Sequence, residues 1–330
     1  MKMRVAIIGC GSISSTHIKA LIGSGEEIAA LCDIEEEKAF EKKSKYELNS
    51  AVYTDYKKML DEVRPDSVHI CTPHYLHAEM AVEALGRDIN VLCEKPLAIS
   101  VRDCEAVVEA ASKSKASYGV CLQNRYEPNM KKLREMAESI GIEAAFGTVV
   151  WKRNEDYYSK GAWRGRWDTE GGGVMINQAL HTLDLMQWIC GMPEYVTSSI
   201  DNYHLKDAIE VEDTASAVFE LPDGRKFNFF ATTAGGVDFP VQIRARLNDR
   251  RIVNAENNMM TCGKEIISTD EVTGTELKSV WGGCHRLLIE DFYDCVRTGR
   301  HFAIDAPEAS KVIRLILSMY ASDGSRIHVL

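Results

Sequence analysis

Short apolar runs alternate with amphipathic stretches through the first 122 residues. The runs Arg4–Ile8, Ile28–Cys32, Ser67–Cys71, Asn90–Cys93 and Ser117–Leu122 predict strands, with a weaker one near Val52. Continuous apolar runs of this kind suit strands buried on both faces. Helical periodicity fills 15–23, 35–46, 55–62, 75–86 and 100–113, the last opened by a Ser100…Asp103 capping box. Strands and helices alternating at this spacing imply βαβ units, hence a doubly wound parallel sheet with helices on both faces.

The pattern changes after residue 123. A helix is predicted at 128–140, a strand at 145–153, a loop rich in aromatics and charges, and a helix at 174–190. From 195 to 275 the chain reads as strands separated by turns, such as Leu221-Pro222-Asp223-Gly224-Arg225. Helices return at 284–298 and 307–321 before a short apolar tail. The expectation is an α/β domain over 1–122 and an α+β domain with a mostly antiparallel sheet over 123–330. The last helices are free to pack back on the first domain.

Composition narrows the partners. The 330 residues are 45% hydrophobic and 27% charged, with 39 basic against 49 acidic side chains and a net charge of −10. An acidic surface repels phosphate backbones and anionic lipid, so no nucleic acid and no membrane partner is expected. No apolar run approaches the roughly 18 residues of a membrane helix. The first apolar stretch, Val5-Ala6-Ile7-Ile8, stops at glycine, too soon for a signal peptide. The expected location is cytoplasmic. The ten cysteines form no CxxC pair, and Cys32, Cys71 and Cys93 end apolar runs, as reduced buried thiols do. No metal site is predicted, and the other histidines, His204, His301 and His328 among them, read as surface or packing residues.

Candidate chemistry gathers at the strand ends. Gly9-Cys10-Gly11-Ser12-Ile13-Ser14 follows a buried strand and opens a helix. Gly9 permits a tight turn, Gly11 lets backbone N–H groups approach a pyrophosphate, and Ser14 is small enough for helix–strand packing. Asp33 ends the next strand, where it can accept from a ribose 2′-OH or cap the following helix. It repels a 2′-phosphate, and Glu35, Glu36 and Glu37 follow rather than arginine. NAD is favoured over NADP. Thr72-Pro73…His77 and Glu94-Lys95-Pro96 lie at further strand ends, where open α/β sheets bind ligands. Lys95 can orient a hydroxyl, polarise a carbonyl or join a proton relay, or it can simply pair with an acid. Gly171-Gly172-Gly173 leads into a helix that places Asn177, His181 and Asp184 on one face. His181 suits proton exchange near neutral pH, unless it is a core histidine bonded to a carbonyl. Between Tyr157 and Trp167 the aromatic residues suit sugar C–H faces and the arginines suit hydroxyl, carboxylate or phosphate.

Together, the Gly9–Ile13 loop, Thr72-Pro73 with His77, Glu94-Lys95-Pro96 and Gly171-Gly172-Gly173…His181 resemble the Gfo/Idh/MocA oxidoreductases along the whole chain. That resemblance implies an N-terminal Rossmann domain and a second domain whose open sheet builds a homodimer or homotetramer. It implies action on a CH–OH group of a sugar, inositol, uronate or derivative. Lys95 is then the catalytic lysine beside the nicotinamide. Many relatives carry aspartate four residues before the histidine; Asn177 stands here, so proton transfer falls to His181. By the same resemblance Asn124 faces the nicotinamide and Arg125 the substrate, while Trp163 and Arg164 serve cofactor or substrate and Tyr157 the substrate. Two other readings stand beside it: an NAD-retaining enzyme that uses transient oxidation to eliminate or hydrolyse a glycoside, and a non-catalytic nucleotide-binding regulator.

Overall fold

The N-terminal apolar runs become six parallel strands. They are β1 (Arg4–Ile8), β2 (Glu27–Cys32), β3 (Ala51–Tyr53), β4 (Ser67–Ile70), β5 (Asn90–Cys93) and β6 (Tyr118–Val120), in the order β3-β2-β1-β4-β5-β6. The strand order reverses between β1 and β4, with Ile8 facing Ile70, so the loops after these strands open from one switch point. The computed structural model describes residues 2–256, 259–268 and 284–330. It divides into two units, Met1–Cys121 with His285–Ser310 and Leu122–Cys284 with Lys311–Leu330.

In the first unit β1 and β4 are buried throughout apart from Arg4, which is why their sequences carry no in–out alternation. Asp55 caps helix Tyr56–Val63 by accepting from the N–H groups of Lys57 and Lys58, and Ser100 caps helix Val101–Lys113 by accepting from Asp103 N at 3.1 Å. The helix expected at 75–86 is a 3₁₀ turn, His74–Leu76, running into helix His77–Leu85. Pro73 precedes it in an extended conformation, and Leu76 N donates to its carbonyl at 3.1 Å. Beside β6, Phe292 and Phe302 pack so closely on Gly119 that a side chain there would overlap them.

The second unit is a nine-stranded sheet: β7 (Ile142–Val150), β8 (Tyr195–Asp201), β9 (Thr214–Glu220), β10 (Lys226–Thr232), β11 (Gln242–Leu247), β12 (Ile252–Glu256), β13 (Met259–Cys262), β14 (Glu265–Ser268) and β15 (Ile327–His328). Their order is β14-β13-β12-β11-β7-β10-β9-β8-β15. The β7–β10 pair is parallel and the other recorded pairs are antiparallel. Residues 269–275 of the region read as strands lie outside the described residues. The Leu221–Arg225 turn joins β9 to β10 as expected, with Gly224 at φ +84° and Asp223 Oδ1 accepting from Arg225 N. One face is covered: Ala215, Ala217 and Phe219 on β9 and Ile243, Ala245 and Leu247 on β11 are buried. Met186, on helix Leu180–Cys190, lies against Gly147 of β7 on that side. Among the described residues, no helix is long and apolar enough to cross a membrane.

The helix expected at 174–190 is broken. It forms Val174–Asn177 and Leu180–Cys190, and the N–H groups of Gln178 and Ala179 both donate to Val174 O. Asn177 therefore does not share a helix face with His181 and Asp184, because the spacing rule assumes an unbroken ladder.

Candidate active site

Gly9 stands where no other residue fits. Its φ is +93°, and a β-carbon there would lie 2.6 Å from the carbonyl of Cys71 and 2.9 Å from Thr72 N. Its N–H donates to Cys32 O at 2.8 Å, which locks the end of β1 between β2 and β4. Gly11 is different: a β-carbon there meets no protein atom within 4 Å. Internal packing does not require glycine at that position, and the bare backbone there is open to close approach. Ser14 Oγ donates back to Gly11 O at 2.7 Å. Helix Ser14–Gly23 then begins at Ile13 without a side-chain cap, although Thr16 N donates to Ile13 O at 2.9 Å.

Asp33 is half-buried at the end of β2. Its Oδ2 accepts from Cys10 N at 2.7 Å and its Oδ1 from Glu35 N at 3.0 Å, so the carboxylate lies against the glycine loop. The residue at the helix cap is Glu35, not Asp33. Burial, with Asp33 adding to it, pushes the Cys10 thiol up to about 12, so it is no nucleophile at neutral pH. Lys42, missed in the sequence, is buried and donates to Ser15 Oγ at 2.7 Å, adding a cation beside the start of the same helix. Its only sequence signal was its place three residues after the buried Ala39.

The Thr72-Pro73 and Lys95-Pro96 turns are tied together by one side chain. His77 is fully buried, with Nδ1 2.7 Å from Pro96 O and Nε2 2.8 Å from Thr72 O. Burial lowers its pKa against the pull of these carbonyls. The imidazole thus acts through the two turns it joins. The Lys95–Pro96 bond is cis. Glu94, just before it, is 5% exposed; its Oε1 takes His17 Nε2 at 2.9 Å and His285 Nε2 at 3.3 Å, and its Oε2 accepts Lys95 N at 3.2 Å. Reading the remaining histidines as surface or packing residues overlooked this cluster, since His17, His69, Glu94 and His285 are far apart in sequence.

In the second unit two of the three successive glycines are packing requirements. A β-carbon at Gly172 would coincide with the Tyr320 hydroxyl, and one at Gly173 with Glu212 O. The Glu212 carboxylate accepts from Gly173 N at 2.8 Å, Met175 N at 3.0 Å and Tyr320 Oη at 3.1 Å, which fixes the entry to the broken helix. Burial pushes its carboxyl up to about 7 despite these donors. His181, 7% exposed, has Nε2 3.3 Å from the Gln123 amide nitrogen. Donation from that amide uses the Nε2 lone pair, so the neutral ring carries its proton on Nδ1. Arg125 is buried and forks onto Asp184, three residues beyond His181. Asn124 is buried, and its Oδ1 accepts no hydrogen bond from the described residues.

Tyr157 gathers the aromatic loop. Its hydroxyl accepts from Gln178 Nε2 at 3.2 Å, from Asn177 Nδ2 at 3.4 Å and from Arg164 Nη1, while Asn177 also donates to Glu170. The Arg164 guanidinium lies 4.5 Å from the Tyr157 ring centroid and 4.7 Å from that of Trp163. Arg166 is instead half-exposed and paired with Asp168 and Glu210.

Comparison with known proteins matches these two units. A family model described as an oxidoreductase family with an NAD-binding Rossmann fold covers residues 3–122, and the C-terminal domain model of the Gfo/Idh/MocA group covers 135–248. An inositol 2-dehydrogenase of Salmonella typhimurium is 33% identical over 142 residues, 42% of this chain and 42% of its own length. The chain thus spans about two fifths of the length of the first relatives it matches. An inositol 2-dehydrogenase of Burkholderia ambifaria is 26% identical over 246 residues, covering 74% of this chain and 67% of its own. Among solved structures, the WlbA dehydrogenase of Bordetella pertussis in complex with NADH and UDP-GlcNAcA superimposes with a TM-score of 0.90. It is 25% identical over 100% of this chain and 98% of its own.

Proposed function

Because this chain belongs to the Gfo/Idh/MocA oxidoreductase family, with its Rossmann half and its C-terminal half both matched, we propose that it is an NAD-dependent dehydrogenase acting on a CH–OH group of a sugar, inositol, uronate or related ring. The observation that carries this reading is the contrast between Gly9 and Gly11. Packing demands the first glycine and leaves the space beside the second open to a ligand's approach. The uncapped helix start and Lys42 favour an anionic diphosphate beside that backbone, with Ser12 and Ile13 in the turn. Asp33 supplies the ribose acceptor, and the acidic run after it disfavours a 2′-phosphate. The orphaned Asn124 Oδ1 fits the amide donor of a nicotinamide. Thr72 and Pro73 line the turn that His77 staples, and Glu94 acts on the cofactor side through Lys95.

NAD, when bound, supplies the nicotinamide that accepts or returns a hydride. Lys95 holds the reacting oxygen and stabilises negative charge that develops on it. His181 takes the hydroxyl proton at Nε2 once the substrate hydroxyl displaces the Gln123 amide from that atom. Asn177 cannot ionise, so it orients a substrate hydroxyl together with Tyr157. Trp163 and Arg164 present a flat cationic face suited to a sugar ring or its acidic substituent. Arg125 supports the helix of His181 through Asp184 and acts on substrate from that position.

The outer face of the nine-stranded sheet exposes Phe146, Val218, Ile252 and Met259. These apolar side chains, set among Asn228, Arg244 and Asn254 on the same face, support self-association as a homodimer or homotetramer. The test of the activity is a panel of inositols, hexoses, uronates and nucleotide-linked uronates with NAD, followed by NADH absorbance. Turnover with at least one ring substrate is expected. Tightly held NAD with substrate cleavage and no net NADH would favour the elimination chemistry instead, and binding without any turnover would favour a regulator.

A further inference from the structure

A directed chain of hydrogen bonds runs beneath the Lys95 turn. Tyr293 Oη lies 2.8 Å from His69 Nε2, His69 Nδ1 lies 2.7 Å from His17 Nδ1, and His17 Nε2 lies 2.9 Å from Glu94 Oε1. All four side chains are buried. They come from helix Ser14–Gly23, strand β4, the end of β5 and helix Cys284–Thr298. Two facing Nδ1 atoms cannot both donate or both accept, so the chain has one direction or the other. With Glu94 ionised, it must run from tyrosine to carboxylate: Tyr293 O–H to His69 Nε2, His69 Nδ1–H to His17 Nδ1, His17 Nε2–H to Glu94. Every contact is then satisfied with both imidazoles neutral.

The electrostatics agree with that direction. Burial favours a protonated Glu94, but hydrogen bonds from His17 and His285 hold its carboxyl well below the usual range. Burial, with His17 beside it, holds His69 well below its ordinary pKa and so neutral. Tyr293 is pushed up by burial, so its proton does not leave that end. The chain is a brace and not a proton wire. The other groups facing Glu94 are Cys71, Cys93 and Cys121, all kept as thiols by burial, together with His285 and Lys95.

We propose that Glu94, with the buried His17–His69–Tyr293 chain behind it, is a positioning device for Lys95. It fixes a carboxylate one residue before the lysine, grips the lysine's own N–H and adds a negative charge beside that turn. This rests on Lys95 being the catalytic lysine. Glu94→Gln separates charge from shape, because the chain can reverse: Gln amide to His17 Nε2, His17 Nδ1–H to His69 Nδ1, His69 Nε2–H to Tyr293 Oη. The fold survives while the charge is lost.

The experiment joins two readouts. Selective ¹⁵N-histidine NMR of the whole protein should show His17 as the Nε2–H tautomer and His69 as the Nδ1–H tautomer, and Glu94→Gln should invert both tautomers. In kinetics, Glu94→Gln should lower kcat about tenfold and move the alkaline limb of its pH profile down by about one unit, with NAD affinity within about threefold. Glu94→Asp keeps the charge and should restore the limb. The opposite tautomers in the wild type, equimolar bound zinc on the cluster of His17, Glu94 and Cys121, or an unmoved limb in Glu94→Gln would overturn the proposal. Lys95→Ala separates the two levels. If it retains turnover, the reading of Lys95 fails; if it is inactive while Glu94→Gln behaves as wild type, only the brace fails.

Discussion

Arg125 and Asp184 meet through two hydrogen bonds, Nε to Oδ2 at 2.8 Å and Nη2 to Oδ1 at 2.5 Å, with both side chains buried. Gln187 Nε2 donates to the same carboxylate at 3.1 Å, and Trp188 lies against the guanidinium. Breaking such a pair strands a buried charge, which costs about 3–5 kcal/mol. Asp184→Asn should therefore lower unfolding free energy by about that much in urea. Arg125→Met with Asp184→Leu should lose less than the sum of the single changes, because neither charge is then left alone. Additive losses would show that the pair is not coupled.

The two glycines of the dinucleotide loop should respond oppositely. Gly9→Ala drives a methyl into the Cys71 backbone and should lower stability by several kcal/mol, on the order of 3, by strain at positive φ alone. Gly11→Ala should melt within a few degrees of wild type yet bind NAD at least about tenfold more weakly, since its methyl occupies only the ligand's approach. Calorimetry with NAD titration separates the two. Equal melting temperatures, or an unaffected NAD affinity in Gly11→Ala, would contradict the assignment. Asp33→Ser should weaken NAD by about tenfold and narrow its advantage over NADP.

These cases show what could be read before the structure. The parallel strands and the glycine loop follow from local pattern: buried runs, turn glycines and an acid at a strand end are short-range signals. The chain of His17, His69, Glu94 and Tyr293 does not, because its members meet only after the parallel sheet brings β4, β5 and two helices together. The break at Gln178–Ala179 was hidden for a different reason. Gln178 N and Ala179 N share Val174 O, a local shift of the ladder that apolar periodicity does not reveal. Asp184 fell on the expected helix, but its partner Arg125 lies 59 residues away and carries no pairing signal in sequence.

Glu212 gives the fold a pH signature. Its carboxyl sits at about 7 in the folded chain, above the ordinary value of 4.5. Folding therefore retains a proton that the unfolded chain releases, and this contribution is full below about pH 4.5 and lost as pH rises through 7. Unfolding free energy should fall by roughly 3 kcal/mol from this group across that window. Glu212→Gln should flatten the decline when wild type and variant are compared at pH 5 and pH 8. Parallel curves would contradict the assignment.

The exposed apolar residues of the nine-stranded sheet predict an oligomer. Phe146→Glu, on β7, should shift the protein toward monomer in light scattering while leaving the far-UV spectrum unchanged. A wild-type monomer would remove this role from the sheet face.

The most direct test of the whole account is single-turnover NADH formation by Lys95→Ala and His181→Ala with the best ring substrate, alongside their NAD affinities. The account predicts that hydride transfer falls by at least about a thousandfold in Lys95→Ala and about a hundredfold or more in His181→Ala, while NAD binds within about threefold of wild type. Wild-type rates of NADH formation in either variant would contradict it.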